Sequence, residues 1–267
     1  MIGRTSDEVG EVVVVDSRQQ AGSGSYDLHF GRMQNRTHEE EIAGVVVLPH
    51  NWNRKAVIWP HRDGKSALFD ESGDPIAAVR KLVDAGYAVS TADLVGQGEF
   101  TPDGKSLSQT RTVENPREFA GYTLGYNHPL FAQRVHDILT LVEFARKHGS
   151  EEIVLVGLDE AAAWCAAACA QSNGTIDRLA LAPGDFRFAR ITEIRDPNLL
   201  PGAVKYGDLP GLLALCAPTP MKLVGEGEKG PELVRMAYAA ERSTKALQTD
   251  DGEASPEVIT EWVLGKE

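Results

Sequence analysis

Cysteine is scarce: Cys165, Cys169 and Cys216 are the only three. A small, odd number gives no disulfide framework. Cys165 and Cys169 stand four apart among alanines, with no further ligand types close by. They read as small apolar side chains on a helix face, not as metal ligands. No stretch approaches the ~20 consecutive apolar residues of a membrane helix. The opening MIGRTSDEVGE is polar and is not a secretory leader. Positive charge is short as well: 27 lysines and arginines face 39 acids, a formal net charge of -12. Such a surface repels phosphate backbones and anionic lipid, so neither nucleic acid nor membrane is expected as a partner. Repeats, low-complexity tracts and Ser/Gly/Pro-rich linkers are also missing. The expectation is one domain over residues 1–267, with Met1 fitting an expression start before a unit excised from a larger chain.

What is present is an alternation of two periods. Strand-like runs stand at Glu11–Asp16, Gly44–Leu48, Ala56–Pro60, Tyr87–Leu94, Ile153–Val156, Asp177–Ala182 and Met221–Val224, with a weak edge strand at Lys245–Thr249. Helical periodicity marks Asp74–Ala85, Leu130–His148, Ala161–Gln171, Pro231–Arg242 and Pro256–Leu264. The first two runs suit antiparallel leading strands. The rest predict a mostly parallel sheet with helices on both faces. Two irregular segments, Glu99–Asn127 and Phe186–Leu209, are long enough to cover something or to act.

In open α/β sheets, ligands bind beyond the carboxyl ends of the strands. Residues 151–170, EEIVLVGLDEAAAWCAAACA, give strand, Gly157, Asp159 and then a helix. This is the layout of a nucleophile elbow, with Asp159 where an esterase holds serine. An aspartate can act covalently, but its ester then needs a general base, ordinarily a histidine after the last strand. The seven histidines are His29, His38, His50, His61, His128, His136 and His148, and none lies beyond residue 148. Thr249-Asp250-Asp251-Gly252 stands in that place, and Glu226 stands in the slot for the triad acid.

Three carboxylates in three slots repel one another and do not make a charge-assisted triad. Asp159, Glu226 and Asp250 could instead face a divalent cation. His61, in His61-Arg62-Asp63-Gly64-Lys65-Ser66 after the third strand, could supply a base from another loop. That loop could also offer an oxyanion N–H, and it reads equally as a surface turn. Asp93-Leu94-Val95-Gly96-Gln97-Gly98-Glu99 lacks the spacing of a phosphate-binding loop and reads as a packing turn. Tyr122-Thr123-Leu124-Gly125-Tyr126-Asn127-His128-Pro129 could line a sugar or ester pocket, or could simply pack.

Several stretches are similar to an α/β-hydrolase family, the acetyl xylan esterase-like proteins. They are VIWPHRDGK at Val57–Lys65, LVDAGYAVSTADLVGQGE at Leu82–Glu99, GYTLGYNHPLFAQRVHD at Gly121–Asp137, the elbow at Gly157, and LPGAVKYGDLPGLLALCAP at Leu200–Pro218. The resemblance implies an α/β-hydrolase fold and ester hydrolysis or deacetylation by a Ser-His-acid triad, with no cofactor. Carried over by position, the catalytic slots fall on Asp159, Glu226 and Asp251, with His61 as the substitute base. Arg62, Glu160, Tyr126, Asn127 and His128 are the candidate substrate-binding residues, and no metal ligand is assigned. Three expectations follow: a degenerate hydrolase that binds or scaffolds, beside a neighbouring hydrolase domain; an active ester hydrolase using Asp159; or a carboxylate-lined cation site. The partner in the active case is a small-molecule ester or an acetylated carbohydrate.

Overall fold

The computed structural model describes residues 1–111 and 124–265. Among the described residues nine strands form one sheet: β1 Val12–Ala21, β2 Tyr26–Asn35, β3 Glu40–Pro49, β4 Lys55–Ile58, β5 Ala88–Asp93, β6 Glu152–Leu158, β7 Arg178–Ala182, β8 Met221–Val224 and β9 Leu247–Asp250. Their spatial order is β1-β2-β3-β5-β4-β6-β7-β8-β9. β1, β2 and β3 form an antiparallel meander, and β3 joins β5 antiparallel. From β5 onward every pairing is parallel.

The α-helices among the described residues are α1 Ala77–Asp84, α2 Leu130–Lys147, α3 Glu160–Ala170, α4 Asp208–Ala214, α5 Glu232–Ala240 and α6 Pro256–Val263. The sheet separates two cores. On one face α2, α3, α4 and α5 bury Phe131, Ile138, Trp164, Leu209 and Tyr238. On the other, α1 and α6 bury Val79, Leu82, Ile259 and Trp262. β6 reads as an unbroken apolar run because both of its faces are covered. Every residue of α3 from Ala161 to Cys169, the two cysteines included, is buried. A helix apolar all round belongs inside, and alanines let it lie close to the sheet. None of the described helices is long and apolar enough to cross a membrane.

Two elements depart from expectation. The leading strands at Glu11–Asp16 and Gly44–Leu48 are not neighbours, because β2 lies between their parent strands β1 and β3. YDLHFGRMQN carries Asp, His, Arg and Gln within its alternation, so its period of two is blurred. The stretch Leu200–Pro218 holds α4, a short helix with Pro210 in its first turn, where proline lacks no needed N–H.

Candidate active-site crevice

The chain leaves β4 toward α1 on one face and leaves β6 toward α3 on the other. β4 and β6 are neighbours. Their carboxyl ends therefore open into the crevice that doubly wound sheets form where the connections change side. The loop with His61 and Arg62 lies on one flank, and Asp159 and Glu160 lie on the other.

Asp159 turns the chain from β6 into α3 with φ 50° and ψ -133°. A non-glycine residue there costs about 1–3 kcal/mol and persists only where its surroundings fix it. Here the Asp159 N–H donates to Ala182 O at 2.8 Å, and Asp159 O accepts from Ala162 N at 3.1 Å. Gly157 allows the tight return: a Cβ there would lie 2.8 Å from Ala161 O and from Ala162 Cα. Ala161 itself fits, fully buried, because the close approach is made at Gly157. The Asp159 carboxylate makes no capping bond and is exposed. Gly184, beyond β7, is the near wall, where a Cβ would sit 3.3 Å from Asp159 Oδ1.

The opposite flank is built by the glycine-rich turn that the sequence marks as a packing turn, through side-chain contacts the sequence does not show. Asp93, at the end of β5, is almost wholly buried. It accepts from the Lys65 N–H at 2.9 Å and the Glu99 N–H at 3.1 Å, and it pairs with the Lys65 ammonium. Gly64 (φ 82°) and Gly98 (φ 44°) press on it so closely that a Cβ would fall 2.5 Å and 2.1 Å from its oxygens. Gln97, fully buried, donates to His61 O at 3.0 Å and Arg62 O at 2.8 Å and accepts from Leu94 N at 3.1 Å. The glycine-rich turn is thus a packing device that holds the His61–Arg62 loop. The signal was a buried-polar pattern, Asp and Gln among glycines, at a strand end.

His61 Nδ1 accepts from the Asp63 N–H at 3.1 Å. In the neutral ring this leaves the proton on Nε2, a donor. Burial lowers the His61 pKa despite the opposing carboxylates of Asp63 and Asp159, which favours the neutral ring. Arg62 pairs with Glu160 Oε2 at 3.2 Å, bridging the crevice. The contact is an ion pair without an aligned hydrogen bond, since Glu160 Oε2 has none among the described residues.

Glu226, following β8, is held by Arg187 at 2.6 Å with its side chain 4% exposed. Its Oε1 has no hydrogen-bond partner among the described residues. Asp251 is exposed. Asp250 turns to Lys222 at 3.5 Å and shares a sheet face with Val224, which packs toward α1 and α6. The carboxylates expected around a cation are therefore dispersed. Among the described residues, no three His, Cys, Asp or Glu side chains are placed to hold a metal.

The structure thus brings together Asp159, Glu160, His61 and Arg62, with Glu226 placed by Arg187. It does not bring the segment 126–128 to them. Tyr126 is 93% exposed. His128 stacks edge-on against His136, with ring centroids 5.1 Å apart, and crowds Gly3. Asn127 and His128 line a separate cavity of about 1010 Å³ with Val95, Leu107, Gln133 and Arg195, which none of the crevice residues lines. Tyr122 and Thr123 lie outside the described residues.

Beneath the crevice, Arg134 lies 4.6 Å over the Trp164 ring and donates to Val95 O at 3.3 Å. Burial pulls its pKa to about 10. Asp137 accepts from the Val95 N–H at 2.8 Å, and burial pushes its pKa up to about 8. The long segment Phe186–Leu209 closes over α3: Asn198 Oδ1 accepts from the Trp164 indole at 2.9 Å, and Asp208 accepts from the N–H groups of Phe188 and Ala189 at 2.7 and 3.0 Å.

No family model and no curated protein matches the sequence. Solved structures do match in shape. A Bacteroides fragilis protein assigned as an acetyl xylan esterase shares 15% identity at a TM-score of 0.64, covering 94% of this chain and 77% of that one. A promiscuous CE15 esterase from a marine bacterial metagenome shares 12% identity at 0.64, covering 96% and 84%. A CE15 glucuronoyl esterase from Teredinibacter turnerae shares 13% at 0.56, covering 96% and 77%. These likenesses establish the α/β-hydrolase fold.

Proposed function

We propose that this chain is an esterase-like α/β-hydrolase-fold protein that keeps the elbow without triad chemistry, and that its crevice binds a small-molecule ester or acetylated carbohydrate. The observation that carries the reading is the state of the three triad slots. Asp159 fills the first, Glu226 is held by Arg187 in the second, and exposed Asp251 fills the third. In the one histidine beside the elbow, His61, the Nδ1 lone pair is taken by the Asp63 N–H and the neutral ring carries its proton on Nε2, so neither nitrogen offers a free lone pair. General-base work needs an acceptor nitrogen within hydrogen-bond reach of the proton to be taken.

What remains is a recognition surface. It offers the ring N–H of His61, the guanidinium of Arg62, and the carboxylates of Asp159 and Glu160. The Glu160 N–H, at the start of α3, has no intrahelical acceptor. Donors and acceptors in such variety suit hydroxyl and acyl oxygens of a sugar ester. The structural neighbours named for acetyl xylan and glucuronoyl esters support that substrate class. A neighbouring hydrolase domain would supply the chemistry this crevice lacks. Calorimetric titration with acetylated xylo-oligosaccharides tests the reading. Saturable binding that weakens about tenfold in Arg62→Ala is expected, and no binding to wild type would overturn it.

A second reading has its own observation: Asp159 is an exposed carboxylate at a strained turn, electrostatically coupled to His61. There the chain is an active ester hydrolase with Asp159 as nucleophile or base and His61, in its other tautomer, as partner.

A further inference from the structure

Behind the elbow, three cysteines are buried where α3 meets the turn that leads from α4 to β8. All three are free thiols. No chemistry at the crevice uses them. They differ in what surrounds each sulfur. Cys165 Sγ lies 3.5 Å from Val156 O, against β6. Burial raises its pKa further, which keeps the thiol protonated. Cys216 Sγ lies 3.4 Å from Ala166 O on α3 and 3.5 Å from Leu212 O on α4, so it sits between the two helices.

Cys169 is one turn beyond Ala166, and side chains on a helix lean back toward its N-terminus. Its sulfur therefore leans toward the Ala166 carbonyl that Cys216 touches. A second contact closes the other side. Cys169 Sγ is 3.8 Å from Thr219 Oγ1, and the Thr219 N–H donates to Cys216 O at 2.8 Å. Tyr238, fully buried on α5, donates its hydroxyl to Thr219 O and fixes this turn. Two independent contacts thus bring the sulfurs of Cys169 and Cys216 to one place. The Cys216 thiol hydrogen-bonds the Cys169 sulfur and lowers the Cys169 pKa, while the same contact raises that of Cys216. Cys169 is also the outermost of the three, at 6% exposed. The thiolate is the nucleophile, and a thiolate beside a second thiol is the arrangement of a reversible oxidation pair.

We propose that Cys169 and Cys216 are a reversible disulfide pair, formed by peroxides, that ties the end of α3 to the turn before β8. The Cys169 thiolate attacks one peroxide oxygen, and the O–O bond breaks. Cys169 becomes a sulfenic acid, and the other oxygen leaves and takes up a proton. The Cys216 sulfur then attacks the sulfenic sulfur. Hydroxide leaves, takes the Cys216 proton and departs as water. The two thiols lose two electrons and the peroxide gains them. A dithiol reductant reverses the bond by exchange. Cys165, facing β6, takes no part.

Treating the whole chain with hydrogen peroxide, then denaturing it and counting thiols, tests this. Titratable thiols should fall from three to one, and the intact mass by two hydrogens. Proteolytic mapping without reductant should recover the Cys169 and Cys216 peptides joined, and a dithiol should restore all three thiols. Cys165→Ala should still form the bond, whereas Cys169→Ala and Cys216→Ala should not. The wild-type map decides the matter even where a variant fails to fold. Closing the chain between the two positions constrains the unfolded state, so the oxidised form should melt about 5–10 °C above the reduced one. Three thiols remaining after peroxide, oxygen added to either sulfur without a joined pair, a bond that includes Cys165, or chains cross-linked to one another would overturn the proposal. So would an oxidised form that melts below the reduced one, because the bond would then strain the fold.

Discussion

Replacing Gly157 with alanine isolates the contact that shapes the elbow. A new Cβ would stand 2.8 Å from Ala161 O, 2.8 Å from Ala162 Cα and 2.9 Å from Ala161 C, all of them backbone atoms. Backbone cannot rotate aside as a side chain can. It is pinned here on both sides by Asp159 N to Ala182 O and by Ala162 N to Asp159 O, at 2.8 and 3.1 Å. Alanine in a strand gains about 0.5–1 kcal/mol over glycine through the unfolded chain. Overpacking costs about 1–3 kcal/mol, and an immobile neighbour sets the upper end. The expected balance is a loss of about 1–2 kcal/mol, which for a domain of this size lowers Tm by about 2–4 °C per kcal/mol. Urea unfolding followed by circular dichroism, with an unchanged m-value, measures it. Gly174→Ala is the comparison, because its φ is 80° and nothing lies within 4 Å of the added Cβ. Its cost is backbone strain alone, about 1–2 kcal/mol. Gly157→Ala as stable as wild type would refute the close strand–helix packing.

Three further outcomes follow from the buried charges and the crevice. The Asp137 pKa is raised to about 8 by burial, so the folded state binds its proton more tightly than the unfolded chain. Stability is then fullest below about pH 4 for this group and falls as pH rises toward 8, by at most about 1.4 kcal/mol per pH unit. Asp137→Asn should flatten that slope in urea unfolding series across this range, and an unchanged slope would contradict a raised pKa. Arg187→Ala leaves the 4%-exposed Glu226 side chain without its cation. A loss of about 2–3 kcal/mol is expected, below the full cost of a buried pair because Arg187 is partly exposed; adding Glu226→Gln should restore part of it, and a single variant as stable as wild type would show the pair to be idle. His61→Gln, which keeps a side-chain N–H donor, should retain binding of acetylated xylo-oligosaccharides better than His61→Ala in the same calorimetric titration. Equal affinity in the two variants would remove His61 from the recognition surface.

The parallel half of the fold was legible because buried strands and amphipathic helices differ plainly in period. Ile153–Val156 and Met221–Val224 fall within β6 and β8 almost residue for residue. β2 was missed because an antiparallel strand with a mixed surface face carries polar residues at irregular places. α4 was missed because seven residues, two of them Pro210 and Gly211, show no helical period. At the site, the elbow could be read from strand, glycine and alanine-rich helix, since each is a local signal. Asp93, Gln97 and Arg187 could not, because their importance is tertiary: they hold His61, Arg62 and Glu226 across gaps in sequence. The grouping of Asp159, Glu226 and Asp250 around a cation failed for a related reason. Strand alternation sends Asp250 to the α6 face, and Arg187 claims Glu226.

The central claim is an elbow without ester-hydrolysing chemistry. The most direct measurement is the initial rate of hydrolysis of p-nitrophenyl acetate and acetylated xylan by wild type and Asp159→Ala, side by side with buffer. The account predicts three indistinguishable rates. Turnover by wild type that disappears in Asp159→Ala would contradict it and make Asp159, with His61, a working pair.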